Sequence, residues 1–186
     1  LTSIILPSGL TSIGSSAFSG CSGLTSIILP NGLTSIGSSA FENCSSLNSV
    51  ILPNALTSIS VSAFSGCRGL TSIALPDSLT SIGAKAFYKC SGLTSIILPN
   101  ALTSIGSDAF YGCSKLDLVV NFSNLDKIFE GSSDQGYVAY YASRVIDVDG
   151  KVGDFVFRET ERKYYLAVYI GSDSVIALPE NYKGSK

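Results

Sequence analysis

LTSIILPNGLTSIGSSAFENCSS, residues 24–46, is one of five near-identical units in this chain. The units run 1–23, 24–46, 47–69, 70–92 and 93–115, and a degraded sixth begins at Leu116. Eleven of the 23 positions are identical in all five. A unit this short cannot bury its own apolar face. It must stack on its neighbours, so the same side chain recurs at each level of a solenoid.

Each unit holds two copies of the tetrad LTSI or a near variant. In the first unit, Leu1, Ile4 and Leu6 are spaced for one strand, and Leu10–Ile13 forms a second on the opposite face. Pro7 has no N–H for a ladder, so it ends the first strand. Gly14 fits a tight bend, although Ser60 holds that place in the third unit. Ser15-Ser16-Ala17-Phe18 suits a short helical turn opened by a hydroxyl cap. Leu1, Ile4, Leu6, Leu10, Ile13, Ala17, Phe18, Cys21 and their copies should point inward. Phe18, Phe41, Phe64, Phe87 and Phe110 should then stack as an aromatic spine.

The spacing L-x-x-I-x-L-P followed by L-x-x-I-G-x-x-A-F-x-x-C resembles the BspA-like leucine-rich repeats of bacterial and some protist surface and secreted proteins. The resemblance covers residues 1–115 fully and 116–130 loosely. It implies a leucine-rich-repeat solenoid, β-rich with short helical turns, with stacked parallel strands on two faces. It also implies extracellular or cell-surface display and adhesion to host or matrix molecules, with docking on the concave sheet. The segment from Gly136 to Lys183 resembles a strand-rich stretch that interrupts some members, so residues 131–172 are expected to be a strand-rich insert, or a cap on the last coils. Ile176-Ala177-Leu178-Pro179 would open a resumed repeat within 173–186.

Charge marks the same division. Residues 1–115 carry only Arg68, Lys85, Lys89 and Lys115 against Glu42, Asp77 and Asp108; the other 19 of 26 charges follow. The net charge of −2 offers no basic field to nucleic acid. No apolar run reaches the ~18 residues of a membrane helix. The chain has no Met, and Leu1 opens a unit at its first position, so the expectation is a segment of a longer protein. Such a segment says nothing about a signal peptide.

The cysteines, Cys21, Cys44, Cys67, Cys90 and Cys113, fall one per unit rather than in the paired spacings of a zinc site. An odd number excludes complete intrachain pairing. Adjacent rungs would lie ~5 Å apart, within disulfide range, but parallel side chains would have to twist toward each other. The expectation is small buried thiols, with an occasional disulfide or a metal as lesser readings.

The candidate binding residues lie between the core positions. Alternate residues of a strand face out, which puts Ile5, Ile28, Ile51, Ala74 and Ile97 on the solvent side of the first sheet. Ser3, Ser26, Ser49, Ser72 and Ser95 run beside them. An exposed apolar strip marks an interaction site. The competing reading is that β-branched residues merely suit a parallel sheet, or that an oligomer covers them. Thr11, Thr34, Thr57, Thr80 and Thr103 form another file. Water-ordering arrays use T-x-T pairs, which this chain lacks, so the file reads as hydrogen-bonding ladder.

From about Gly131 the period fades and tyrosines accumulate. Phe155-Val156-Phe157 and Tyr164–Ile170 read as a β-hairpin joined through Thr160–Lys163. The tyrosines there could serve a sugar or protein, or simply fill the hairpin core. Asp147 to Asp154 fails the calcium-loop pattern, because Gly150 arrives too early and the late Glu is missing. Asn43 and Asn121 begin N-x-S sequons.

Catalysis has little to work with. There is no His, buried cysteines are poor nucleophiles, a Ser nucleophile needs an adjacent base, and no phosphate loop follows a strand. No cofactor or metal is expected. Two readings remain. One is a non-enzymatic binding scaffold that takes a host or matrix protein or a polysaccharide on the exposed sheet. The other is a passive spacer, favoured by the invariance of positions 3, 11 and 12. Variation instead falls at positions 8, 9, 15, 16, 19, 20 and 22.

Overall fold

The structure, a computed structural model, describes residues 2–121, 123 and 125. It also gives the backbone of strands at 144–147, 151–152, 155–159 and 164–169. The chain divides into two compact units, Leu1–Val145 and Ile146–Lys186.

The first unit is a parallel β-solenoid with one coil per 23-residue repeat. One face carries β2 (Ser26–Ile28), β4 (Ser49–Ile51), β7 (Ser95–Leu98) and β9 (Leu118–Asn121). The other carries β1 (Ser12–Ile13), β3 (Ser35–Ile36), β5 (Ser58–Ile59), β6 (Ser81–Ile82) and β8 (Ser104–Ile105). Register is strictly one repeat: Ile27 pairs with Val50, Ile82 with Ile105, and Ile96 with Val119. β10 (Arg144–Asp147) joins β9 on its far side.

The strands are shorter than the apolar spacing implies, two to four residues on these faces. Positions 1 and 6 are buried at the corners: Leu24 at 0% and Leu29 at 3% exposure. Most corner residues enter the core without joining the ladder; Leu98, paired with Asn121, is the exception. In the fourth coil the first strand shrinks to a single bridge, Ile51 to Ala74. Ala74 is the one residue in that row without a branched side chain to cover the sheet.

The third side of each coil, positions 14–21, contains turns; no helix occurs among the described residues. Odd positions close locally: Ala17 N–H donates to Gly14 C=O at 3.3 Å, Ser19 to Ser16 at 3.0 Å and Cys21 to Phe18 at 3.0 Å. Even positions reach the next coil: Ser16 N–H donates to Ser38 C=O at 2.9 Å and Phe18 N–H to Ala40 C=O at 2.8 Å. The break from helix is position 16, which is left-handed in every coil, with φ from 55° at Ser39 to 58° at Ser16. Such a residue cannot sit inside a right-handed helix.

Position 14 is glycine for space, not for a left-handed bend. A Cβ on Gly37 would lie 2.5 Å from Ser15 N, and one on Gly106 would lie 2.3 Å from Ala84 N. Without side chains the coils close up, and Gly106 N–H donates to Ile82 C=O at 2.7 Å. Ser60 breaks this rule and the sheet breaks with it. The second face divides into β1-β3 and β5-β6-β8, between the second and third coils. There Ser60 Oγ donates to Ile36 C=O at 2.6 Å, in place of the main-chain N–H.

The core is the expected one with an exception in the first coil, where Ala17 is exposed and Ile4, Leu6, Leu10, Phe18 and Cys21 are half-buried because no coil covers them; Leu1 lies outside the described residues. Phe41, Phe64, Phe87 and Phe110 are fully buried, and the spine from Phe18 stacks at 5.2, 5.3, 5.6 and 5.2 Å between ring centroids.

In the second unit, β11 (Lys151–Val152), β12 (Phe155–Glu159) and β13 (Tyr164–Tyr169) form an antiparallel sheet. The expected hairpin is therefore present, with a bulge between Val156 and Phe157. Its tyrosine side chains, the turn around Asp149-Gly150, the resumed repeat at 176–179 and the expected boundaries at 130 and 172 lie outside the described residues.

Candidate binding surfaces

The first face presents the isoleucine row outward. Ile5 is 97% exposed, Ile28 74%, Ile51 65% and Ile97 41%, and Ala74 is exposed between them. Parallel register sets each directly beside the next: Ile28 against Ile51, Ile51 against Ala74, Ile97 against Val120. The row ends at Val120, which is buried. Ser3, Ser26, Ser49 and Ser72 are exposed alongside, and Ser95 is half-buried. All nine candidate residues therefore share one face, and at its first end Ser3, Ile5, Ser26, Ile28 and Pro30 line a shallow groove.

The second face is different in kind. Ser58, Ser81 and Ser104 with Gly83 and Gly106 line an open surface that Val61 also borders, with no stacked row of large apolar side chains. The threonine file beside it is turned to the stack. Thr34 Oγ1 donates to Thr11 C=O at 3.2 Å, Thr80 to Thr57 at 3.0 Å and Thr103 to Thr80 at 3.1 Å. These hydroxyls serve the ladder.

The thiols are also part of the stack. Each donates to the phenylalanine carbonyl of the preceding coil: Cys44 to Phe18 at 3.1 Å, Cys67 to Phe41 at 3.2 Å, Cys90 to Phe64 at 3.1 Å and Cys113 to Phe87 at 3.2 Å. All five cysteines are unpaired. Burial, reinforced by the neighbouring Cys21, pushes the Cys44 thiol up to about 11. Burial pushes Cys113 up to about 12 and raises Cys67 and Cys90 as well. A thiol held protonated by burial is a poor nucleophile. Among the described residues no group of three or more His, Cys, Asp or Glu could hold a metal. Nor is any helix long and apolar enough to cross a membrane.

A second surface was not found by reading the repeat. Positions 19 and 20 vary, and stacking sets their variants side by side. Tyr88 and Tyr111 stack at 5.6 Å and 15°. Lys89 Nζ lies 5.0 Å and Lys85 Nζ 5.8 Å from the Tyr88 ring centre. Lys89 occupies position 20 in the left-handed conformation at φ 55°, where Gly20, Gly66 and Gly112 stand in other coils. A long side chain there costs ~1 kcal/mol or more in backbone strain. The signal was in the sequence, but only once positions one repeat apart were compared.

Of the sequons, Asn121 is buried and accepts hydrogen bonds from the Ser123 main chain and hydroxyl, while Asn43 is exposed.

Several solved bacterial structures share this architecture. A leucine-rich repeat protein of T. pallidum is 32% identical with a TM-score of 0.67, the match covering 78% of this chain and 69% of that one. A leucine-rich repeat protein from Bacteroides ovatus is 32% identical with a TM-score of 0.58, covering 73% of this chain and 40% of that one. A leucine rich cell surface protein from Faecalibacterium prausnitzii is 32% identical with a TM-score of 0.61, covering 76% and 35%. This chain thus spans well under half of the latter two. No curated protein matches the chain significantly. The model of the BspA type leucine-rich repeat region matches residues 1–117 in six copies. With its 23-residue coils, its parallel solenoid and this match over most of its length, the chain belongs to the BspA-type leucine-rich repeat family.

Proposed function

We propose that this chain is the non-enzymatic binding module of a secreted or surface-displayed bacterial protein, and that it docks a host or matrix protein on the isoleucine and serine row. Repeats of this family form interaction scaffolds, and one similar protein is described as a cell surface protein. The carrying observation is the exposure of Ile28 and Ile51 in mid-stack, where neighbouring coils already flank them. Five contiguous side chains facing water, four isoleucines and one alanine, gain most from an apolar partner surface. A protein offers such a surface, and the serines beside the row would hydrogen-bond its rim.

The test is binding of the whole chain to immobilised matrix proteins and polysaccharides, beside a variant with Ile28→Asp, Ile51→Asp and Ile97→Asp. These side chains already face solvent, so the variant should keep the wild-type circular dichroism. Protein binding lost in the variant supports the docking row. Equal binding by both overturns it.

The spacer reading rests on a specific observation as well: Ser3, Ser26, Ser49, Ser72 and Ser95 are invariant, and a uniform face discriminates poorly. Absence of binding to every member of the panel supports the spacer.

A further inference from the structure

We propose that the turn edge of the third to fifth coils, centred on Lys85, Tyr88 and Lys89 of the fourth and Tyr111 of the fifth, binds an anionic polysaccharide. This site is separate from the isoleucine row and does not depend on it.

Charge placement comes first. Every cation in residues 1–115 falls on or just after this edge: Lys85 and Lys89 occupy positions 16 and 20, and Arg68 and Lys115 follow at positions 22 and 23 of their coils. Asp108 is the one carboxylate among the same turns of these three coils. All four cations are exposed, and Asp108 is half-buried. The chain as a whole is acidic, with a net charge of −2, so this edge is a local reversal. Arg68, Lys89 and Lys115 come from successive coils, at positions 22, 20 and 23, so a cation recurs at each level along the stack, as a polymer carrying repeated anions would need.

The aromatic pair selects the kind of polymer. Tyr88 and Tyr111 present stacked rings with hydroxyls at their tips, and Tyr111 is 41% exposed. A sugar carries apolar C–H groups and hydroxyls on one small ring, which an aromatic body with a polar tip complements. The ammonium groups of Lys85 and Lys89 are held against Tyr88. They are thereby positioned for a carboxylate or sulfate before the ligand arrives.

The slot of Lys89 is left-handed in every coil and holds glycine in three of the others and Asn43 in the second, so the fourth coil alone places a cation there.

The probe is polygalacturonate, with dextran as the neutral polysaccharide and polyglutamate as the acidic peptide, each titrated into the whole chain. Variants borrow residues from the same positions in other coils: Lys85→Ser with Lys89→Gly, and separately Tyr88→Ser with Tyr111→Ser. Because those residues are already used in the solenoid, the variants should fold, which melting checks. Polygalacturonate should bind, weaken with added salt, and lose about tenfold or more in affinity in the lysine variant. The tyrosine variant should lose affinity severalfold at unchanged charge, and dextran should not bind. The Ile28→Asp, Ile51→Asp, Ile97→Asp variant should bind polygalacturonate like the wild type. No polygalacturonate binding, or equal binding by wild type and lysine variant, overturns the proposal. So does polyglutamate binding as tightly with indifference to the tyrosines, which would assign the edge to acidic peptides.

Discussion

Adding one methyl group at Gly106 should damage this protein, and adding a hydroxymethyl group should damage it less. In Gly106→Ala the new Cβ would meet Ala84 N at 2.3 Å, and Ala84 Cα and Gly83 C at 2.7 Å. All three are main-chain atoms of the preceding coil, so no side chain can swing aside. The coils must part, and the bond from Gly106 N–H to Ile82 C=O at 2.7 Å is lost. A buried carbonyl left without a donor costs ~1–3 kcal/mol. Replacing glycine by alanine normally returns ~0.4–1 kcal/mol through the unfolded chain. The net cost should be about 2 kcal/mol once the lost packing between coils is added. Serine meets the same clash, but its Oγ can donate to Ile82 C=O as Ser60 Oγ does to Ile36 C=O at 2.6 Å. Gly106→Ser should therefore recover ~1 kcal/mol relative to alanine. Urea unfolding followed by far-UV circular dichroism orders the three proteins. Wild-type stability in Gly106→Ala, or serine no better than alanine, would refute the account of position 14.

Phe64→Ala empties a fully buried rung between two stacked neighbours and should cost ~3–5 kcal/mol, whereas Phe18→Ala, half-buried with one neighbour, should cost roughly half as much; equal melting shifts would count against the spine. The buried thiols predict a pH dependence. Below the ordinary thiol value of 9.0 both folded and unfolded chains are protonated, and nothing is lost. Above it the unfolded chain sheds protons that the folded state retains, so stability should fall from pH 9.0 to about 11 through Cys44 and on to about 12 through Cys113. Urea midpoints across that range check it; the fall should be shallower in Cys44→Ala with Cys113→Ala, where only the buried Cys67 and Cys90 still hold their protons. Lys89→Gly relieves a left-handed lysine and should leave stability unchanged or raise it by up to ~1 kcal/mol, as thermal melting will report; a clear loss would mean that Lys89 is there for packing.

The repeat made much of this fold readable. An apolar residue at a fixed interval has to occupy the same place in every coil, so the phenylalanine spine, the unpaired thiols and the outward isoleucines followed from spacing alone. Local chemistry was harder. Gly37, Gly83 and Gly106 look like bend residues, but their role is set by atoms 23 residues away, which a local reading cannot weigh. Ser39 and Ser62 sit in a segment with the composition of a capped helical turn, yet hydrogen bonds to the next coil hold them left-handed. The Tyr88 and Tyr111 pair was hidden for a different reason. Conserved positions draw attention to the core, while a site assembled from variable ones exists only after the coils are stacked.

The register of one repeat makes length a countable property of this molecule. Any insertion or deletion of 23 residues returns every phenylalanine, threonine and thiol to an equivalent place, whereas any other number throws the remainder of the stack out of phase. Excising residues 47–69 would set Gly83 directly above the second coil and remove Ser60, the residue at which the second sheet divides. The shortened protein would have fewer levels but a continuous ladder on that face. Growth and loss by whole coils therefore preserve the lattice of contacts, and the individuality of the chain resides in the few residues that distinguish one level from the next.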